Sequence, residues 1–143
     1  MPVPESSTRA AIVAALARPA DLRAQDLVSV HLVSAVRVCA LADHAGRDAL
    51  PELAGRYGNV DVARRVLTLV RTIGRTWPEP YVAGRPCCMA MTPDERTLAA
   101  MVRSARAGDR AAFCAAIDGF IRPARHDRLF DATVRAVAGL PWA

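Results

Sequence analysis

The chain has 143 residues, of which 52% are hydrophobic and 23% are charged. This length allows one ordinary domain, and the apolar fraction excludes a wholly disordered chain because there is ample surface to bury. Four cysteines are too few for a disulfide-stapled scaffold. We therefore predict a single globular domain over residues 1–143, with a Pro-rich flexible tail at residues 1–5.

The basic residues are all arginine, and the formal net charge is +5. Such a charge attracts nucleic acids, acidic partners and anionic membranes. The arginines are spread along the chain with acids between them, which is typical of a solvated surface rather than of a clustered nucleic-acid footprint.

The sequence predicts a cytoplasmic protein without a membrane span. The N-terminus has no basic region before its first apolar stretch, unlike a secretory signal. The longest apolar stretch, residues 27–42, is interrupted by His31 and Arg37 and is shorter than the about 20 residues that a membrane helix needs. We interpret it as a buried core helix, and we expect the cysteines to be reduced in the cytoplasm.

The first two predicted helices follow local start and stop signals. A short serine-capped helix is predicted to end at Pro19. Asp21 is predicted to cap the next helix, at about residues 22–44, and Gly46 to end it. The apolar residues of this second helix occupy most of its circumference, which indicates a central helix covered on several sides.

Two further helices are predicted before the middle of the chain. Residues 48–57 form a short helix with Pro51 in its first turn, and Gly58 ends it. Asn59 caps the next helix, at about 60–75. Its apolar stripe has helical spacing and consists of Val60, Ala63, Val66, Leu67, Val70 and Ile73.

Residues 77–91 interrupt the helical pattern. Prolines within and just after this segment exclude a continuous helix, yet most of its other residues are apolar. An apolar loop of this length without secondary structure is uncommon unless it is functional or packed against the core. The segment is therefore the part of the chain that most needs a functional test.

The last third of the chain reads as helix again. Thr92 caps a helix, and Glu95 completes a capping box three residues on. Asp109 caps a second helix and Pro123 breaks it, so that a last helix runs over about 124–138. Since no segment alternates like a strand, we predict an all-α domain of five to seven helices around the central helix.

The cysteines carry the second functional hypothesis. Cys87 and Cys88 are adjacent in the apolar loop, and thiolates are soft ligands for Cu(I), zinc or iron–sulfur clusters. A soft-metal, iron–sulfur or thiol-redox module is thus one alternative, and a simple apolar plug that packs the loop is the other. Should the loop fold back on the core, the conditional further ligands are Cys39, Cys114, Met89 and Met91.

The leading hypothesis is a non-enzymatic interaction or regulatory protein. The chain lacks a nucleophile elbow, an H-E-x-x-H pair and both glycine-rich phosphate-binding motifs, and it has no lysine for Schiff-base chemistry. It therefore indicates neither a catalytic residue nor a cofactor. We expect a homodimer that associates through the 77–91 loop, since exposed apolar patches mark interfaces. The interface candidates are Trp77, Tyr81, Met89 and Met91.

A third hypothesis is an arginine-mediated nucleic-acid binder. The predicted helix at 60–75 has a basic face, and a second basic run follows Ile121. Few aromatic residues are free to stack on bases, so this hypothesis ranks below the others. The arginines concerned are Arg64, Arg65, Arg71 and Arg75 in the first group and Arg122, Arg125 and Arg128 in the second.

The segment Pro86–Val102, PCCMAMTPDERTLAAMV, resembles the signature of a bacterial family of small helical proteins of unknown function. That signature is Pro-Cys-Cys, then Met-Thr, then an acid that opens a helix. Here these positions are Pro86, Cys87, Cys88, Met91, Thr92 and Glu95. The resemblance implies helices on either side of the segment and no particular activity. Some members have a third adjacent cysteine, where this chain has Met89.

Overall fold

The computed structural model describes residues 20–141, so the predicted tail at 1–5 and the helix ending at Pro19 lie outside it. The described part contains six α-helices and two short 3-10 turns but no strand, and the predicted all-α single domain is confirmed. The helices are α1 (Leu27–His44), α2 (Leu50–Tyr57), α3 (Val60–Thr76), α4 (Pro93–Arg106), α5 (Arg110–Ile117) and α6 (His126–Gly139).

The helix predicted to be central, α1, begins later than its sequence predicts. Asp21 caps a 3-10 turn, Leu22–Ala24, by accepting a hydrogen bond from the Arg23 backbone N–H. Asp26 then caps α1, which starts at Leu27 rather than at about residue 22. The reason is that two aspartates lie in this stretch and each accepts backbone N–H groups of the turn that follows it.

Helix α1 contributes many side chains to the core, but the most extensive helix contact in the described part joins α3 and α6 rather than α1 to its neighbours. Val28, Leu32 and Val33 are among its buried side chains, and α3 and α4 both pack against it. By length and composition, α1 is also the one helix in the described part that could cross a membrane. Just over half of that apolar window, 56%, is buried inside the fold.

Most of the other predicted helix ends are confirmed. Gly46 and Gly58 adopt positive φ angles, 65° and 64°, at the ends of α1 and α2, where a side chain would strain the backbone. Asn59 caps α3, and Thr92 begins α4 with a complete capping box. Helix α5 ends at Ile117, before the predicted break at Pro123, and α6 begins at His126 rather than at about 124 because a 3-10 turn, Pro123–Arg125, precedes it.

Two pairs of packed helices position the candidate functional residues. Helices α1 and α4 pack against each other and both bind the 77–91 loop, which joins α3 to α4. Helices α3 and α6 pack together around an apolar core. The fully buried side chains of that contact include Ala63, Val66, Leu69, Leu129 and Ala136.

Candidate functional site

A buried ion pair connects the two helices that flank the loop. Arg37 of α1 is only 2% exposed, and Glu95 of α4 is fully buried. The guanidinium holds the carboxylate with two hydrogen bonds, from Nε to Oε1 at 2.7 Å and from Nη2 to Oε2 at 2.8 Å. A buried charge is costly unless it is paired and hydrogen-bonded, and this bidentate geometry satisfies both needs.

The rest of the Arg37 guanidinium binds the loop backbone. Nη1 donates to the carbonyl of Arg85 at 3.0 Å and also to that of Cys88, and Nη2 donates to the carbonyl of Ala90 at 3.1 Å. Together with the two bonds to Glu95, these contacts use all five N–H donors of the guanidinium. Arg37 therefore fixes three carbonyls of a segment that has no helix of its own.

Glu95 also binds the loop, as an acceptor of backbone N–H groups. Its Oε1 accepts the backbone N–H of Gly84 at 2.7 Å, and its Oε2 accepts that of Thr92 at 3.0 Å. Burial alone would raise the pKa of Glu95, but the hydrogen bonds from Arg37, Gly84 and Thr92 outweigh it, so that the pKa lies below its usual range. The carboxylate is therefore held ionised as a structural group.

Gly84 allows the loop to approach the guanidinium closely. A Cβ atom at this position would lie 2.8 Å from Nη2 and 3.0 Å from Cζ of Arg37. Because those atoms are fixed by five hydrogen bonds, they cannot move aside as a free side-chain end would. A residue without a side chain is thus required here for packing rather than for its backbone angles.

Asp94 anchors the first part of the loop. Its Oδ1 accepts the indole N–H of Trp77 at 3.1 Å, and its Oδ2 accepts the backbone N–H of Val82 at 2.8 Å. The Thr92 hydroxyl donates to the carbonyl of Val82 at 2.7 Å. Residues 92–95, which the sequence indicates as a helix cap, therefore also bind a segment ten or more residues away.

Cys87 and Cys88 are both exposed, on a turn closed by a hydrogen bond from the Cys88 N–H to the carbonyl of Arg85 at 3.0 Å. Cys39 is buried in the core, where desolvation raises the pKa of its thiol to about 11, and Cys114 is half-buried. Within residues 20–141, no group of three or more His, Cys, Asp or Glu side chains could hold a metal ion. The four cysteines are therefore not gathered into one site within a single chain.

The interface candidates separate into core and surface residues. Trp77 and Met91 were expected on an exposed patch, but they are 8% and 5% exposed and belong to the core. The expectation is wrong for Trp77 because its ring packs edge-on against Tyr81 and Phe120. The Met91 side chain lies in the core cluster, and its backbone N–H donates to the carbonyl of Ala20.

The remaining interface candidates keep part of their surface. Met89 is 39% exposed, and Tyr81 is half-buried. The Tyr81 hydroxyl is buried without a hydrogen-bond partner among the described residues, and burial raises its pKa. Val82 is 58% exposed, and the sequence offered no signal for it beyond its place in an apolar loop.

The two basic sequence groups are partly brought together. Arg64, Arg65 and Arg75 of α3 line a groove of about 830 Å³ with Arg128 of α6, and the groove also includes Arg135. The sequence prediction did not include Arg135 because this residue lies seven positions beyond the end of the basic run. The predicted members Arg71, Arg122 and Arg125 do not line this groove, and Arg71 lines a different cavity, between α1 and α3.

No protein-family model, curated protein or solved structure matches this chain. The resemblance of Pro86–Val102 to a bacterial family therefore stays a prediction. The function is inferred from the chain's own residues and their geometry.

Proposed function

We propose that this protein is a non-enzymatic interaction protein that forms a homodimer through the exposed edge of its 77–91 loop. One observation carries the proposal: the Arg37–Glu95 pair holds the loop backbone while Val82 and Met89 remain exposed. A loop whose backbone is already ordered loses little conformational entropy when it binds. The buried pair would therefore prepare this edge for docking.

A second copy of the chain is the proposed partner. In a two-fold dimer the same surface meets itself, so an apolar edge is covered by an apolar edge. Val82 and Met89 are large apolar side chains in water, and covering them is favourable by the hydrophobic effect. Their exposed cysteine neighbours would then lie at or beside the dimer contact.

The test is the concentration dependence of mass in solution, measured by analytical ultracentrifugation under reducing conditions. We expect the double variant Val82→Ser/Met89→Ser to weaken the dimer about tenfold, which corresponds to about 1.4 kcal/mol of lost apolar contact. The matched control is Leu41→Ser, which removes a side chain 51% exposed on α1. A wild-type chain that stays monomeric, or equal weakening by the control, would contradict the proposal.

A second candidate function is a soft-metal or iron–sulfur site at Cys87 and Cys88. The observation that favours it is a pair of adjacent, exposed cysteines on a turn with a fixed backbone. The described residues of one chain provide these two thiols with no third His, Cys, Asp or Glu ligand. A four-thiolate site, as zinc or an iron–sulfur cluster prefers, would therefore need the cysteine pairs of two chains.

Elemental analysis and an absorption spectrum test this candidate on protein purified anaerobically without chelators. We expect about one metal ion or cluster per two chains, because each chain would supply two of four thiolates. The variant Cys87→Ser/Cys88→Ser should lose it, and Cys114→Ser is the control. A colourless, metal-free wild type would exclude this candidate and leave the dimer proposal standing.

A further inference from the structure

We propose that the groove between α3 and α6 binds the phosphodiester backbone of a nucleic-acid duplex. This inference is independent of the loop, because it concerns a different surface. The groove is lined by Arg64, Arg65 and Arg75 on one wall and by Arg128 and Arg135 on the other. Packing of the two helices thus turns two separate basic stretches of sequence into one composite surface.

The groove has an excess of positive charge. Its five arginines face two aspartates in the lining, Asp127 and Asp131, and Asp127 is already paired with Arg110 of α5. Asp61 offsets Arg64 across an exposed pair at 3.5 Å. The remaining guanidinium groups form a cationic surface, and the planar guanidinium is suited to bidentate contacts with phosphate oxygens.

The arginine charges, rather than the threonine hydroxyl groups of the groove, would recognise the phosphates. The two threonines in the groove donate their hydroxyls to their own helix, Thr68 to the carbonyl of Arg64 and Thr72 to that of Thr68. The stem of Arg65 lies against Gly139 of α6, where a Cβ atom would be 3.2 Å from the Arg65 Cδ. This contact directs the Arg65 guanidinium toward α6.

The length of the basic wall favours a polyanion over a single phosphate. Arg64 and Arg75 are eleven residues apart on α3, which is about 16 Å at the rise of an α-helix. Arg128 and Arg135 are separated by about 10 Å on α6 by the same measure. Since duplex phosphates follow one another at about 3.4 Å per strand along the axis, the wall spans several of them.

The lining also favours nucleic acid over an acidic protein. The apolar residues among the described lining are Ala124 and Ala132, which offer no pocket for the large side chains that anchor protein interfaces. The same lining contains no aromatic ring on which an unpaired base could stack. The surface therefore fits a duplex backbone, with sequence-independent contacts.

Fluorescence anisotropy with labelled duplex DNA and duplex RNA tests the inference as a function of salt. For three to five phosphates neutralised, we expect a slope of log affinity against log salt of about −3 to −4.5. Arg75→Gln/Arg128→Gln should weaken binding and make the slope less negative by about 2. The matched control, Arg47→Gln/Arg71→Gln, removes the same charge from the cavity between α1 and α3, which both arginines line, and its slope should stay within about 0.5 of wild type.

Equal losses of duplex affinity in the two double variants would overturn the inference, since net charge alone would then explain binding. Absent or salt-insensitive binding of both duplexes would overturn it as well. Poly-glutamate or a single-stranded oligonucleotide that binds more tightly than either duplex would assign the groove to another class of ligand. Binding of DNA, RNA or both supports the inference and identifies the duplex. The variant Val82→Ser/Met89→Ser should bind like wild type if loop and groove act separately.

Discussion

The 77–91 loop and the α3/α6 groove both expose candidate binding residues, but different interactions support the two regions. The loop has no helix of its own, and buried hydrogen bonds from Arg37 and Glu95 hold its backbone. The groove arginines extend from regular helices whose apolar faces pack together. The comparison shows arginine in two roles: buried, with every donor used, it supports the fold, whereas in the exposed groove it remains available to a partner.

The largest expected effect comes from breaking the buried pair. Arg37→Met leaves the Glu95 carboxylate buried without its cation and frees three loop carbonyls. We expect a loss of about 3–5 kcal/mol in the free energy of unfolding, the usual result of removing one partner of a buried pair. Urea denaturation followed by circular dichroism provides the measurement.

The control for that prediction is an arginine of the groove. Arg75→Gln removes an exposed guanidinium, and we expect the unfolding free energy to change by no more than about 0.5 kcal/mol. Similar losses in the two variants would show that burial of the arginine does not decide its role, and the contrast between the two regions would fail.

Two glycines, one in the 77–91 loop and one on α3 outside the groove, should change stability with opposite signs. Gly84→Ala places a methyl group against the fixed Arg37 guanidinium, and we expect a destabilisation of about 1–3 kcal/mol from overpacking. Gly74→Ala, in open space on α3, should stabilise the protein by about 0.5–1 kcal/mol through helix propensity. Thermal unfolding of both variants beside the wild type measures the effects, and a stable Gly84→Ala protein would contradict the close packing of the loop on Arg37.

The smallest expected effect is the pH dependence of stability that Glu95 contributes through its contacts with the loop. The pKa of Glu95 is lower in the folded protein than in the unfolded chain, so its contribution is fully present above the unfolded pKa of about 4.3. It is lost as the pH falls through the folded pKa. An NMR titration of the Glu95 carboxyl carbon should give a midpoint below about 4.3, and a midpoint above it would mean that burial outweighs the hydrogen bonds.

Local signals in the sequence determined most helix boundaries. Asn59, Gly58 and the Thr92–Glu95 box act on backbone groups within four residues of themselves, so their effect can be seen without knowing the fold. Where two such signals compete, as at Asp21 and Asp26, the prediction was displaced by about five residues. The sequence by itself therefore predicted an all-α domain and the interruption at 77–91.

Only the tertiary structure decided which residues support the loop and which residues form an exposed surface. Arg37 is an interruption in an apolar stretch when seen in sequence, and its partner Glu95 lies 58 residues away. Trp77 and Met91 look like surface residues of a loop in the sequence, but in the fold Trp77 donates to Asp94 and both side chains belong to the core. The five groove arginines likewise meet because α3 packs on α6, a contact set by apolar faces far apart in the chain. Such pairings depend on the packing of whole helices, and no spacing rule within one segment contains that information.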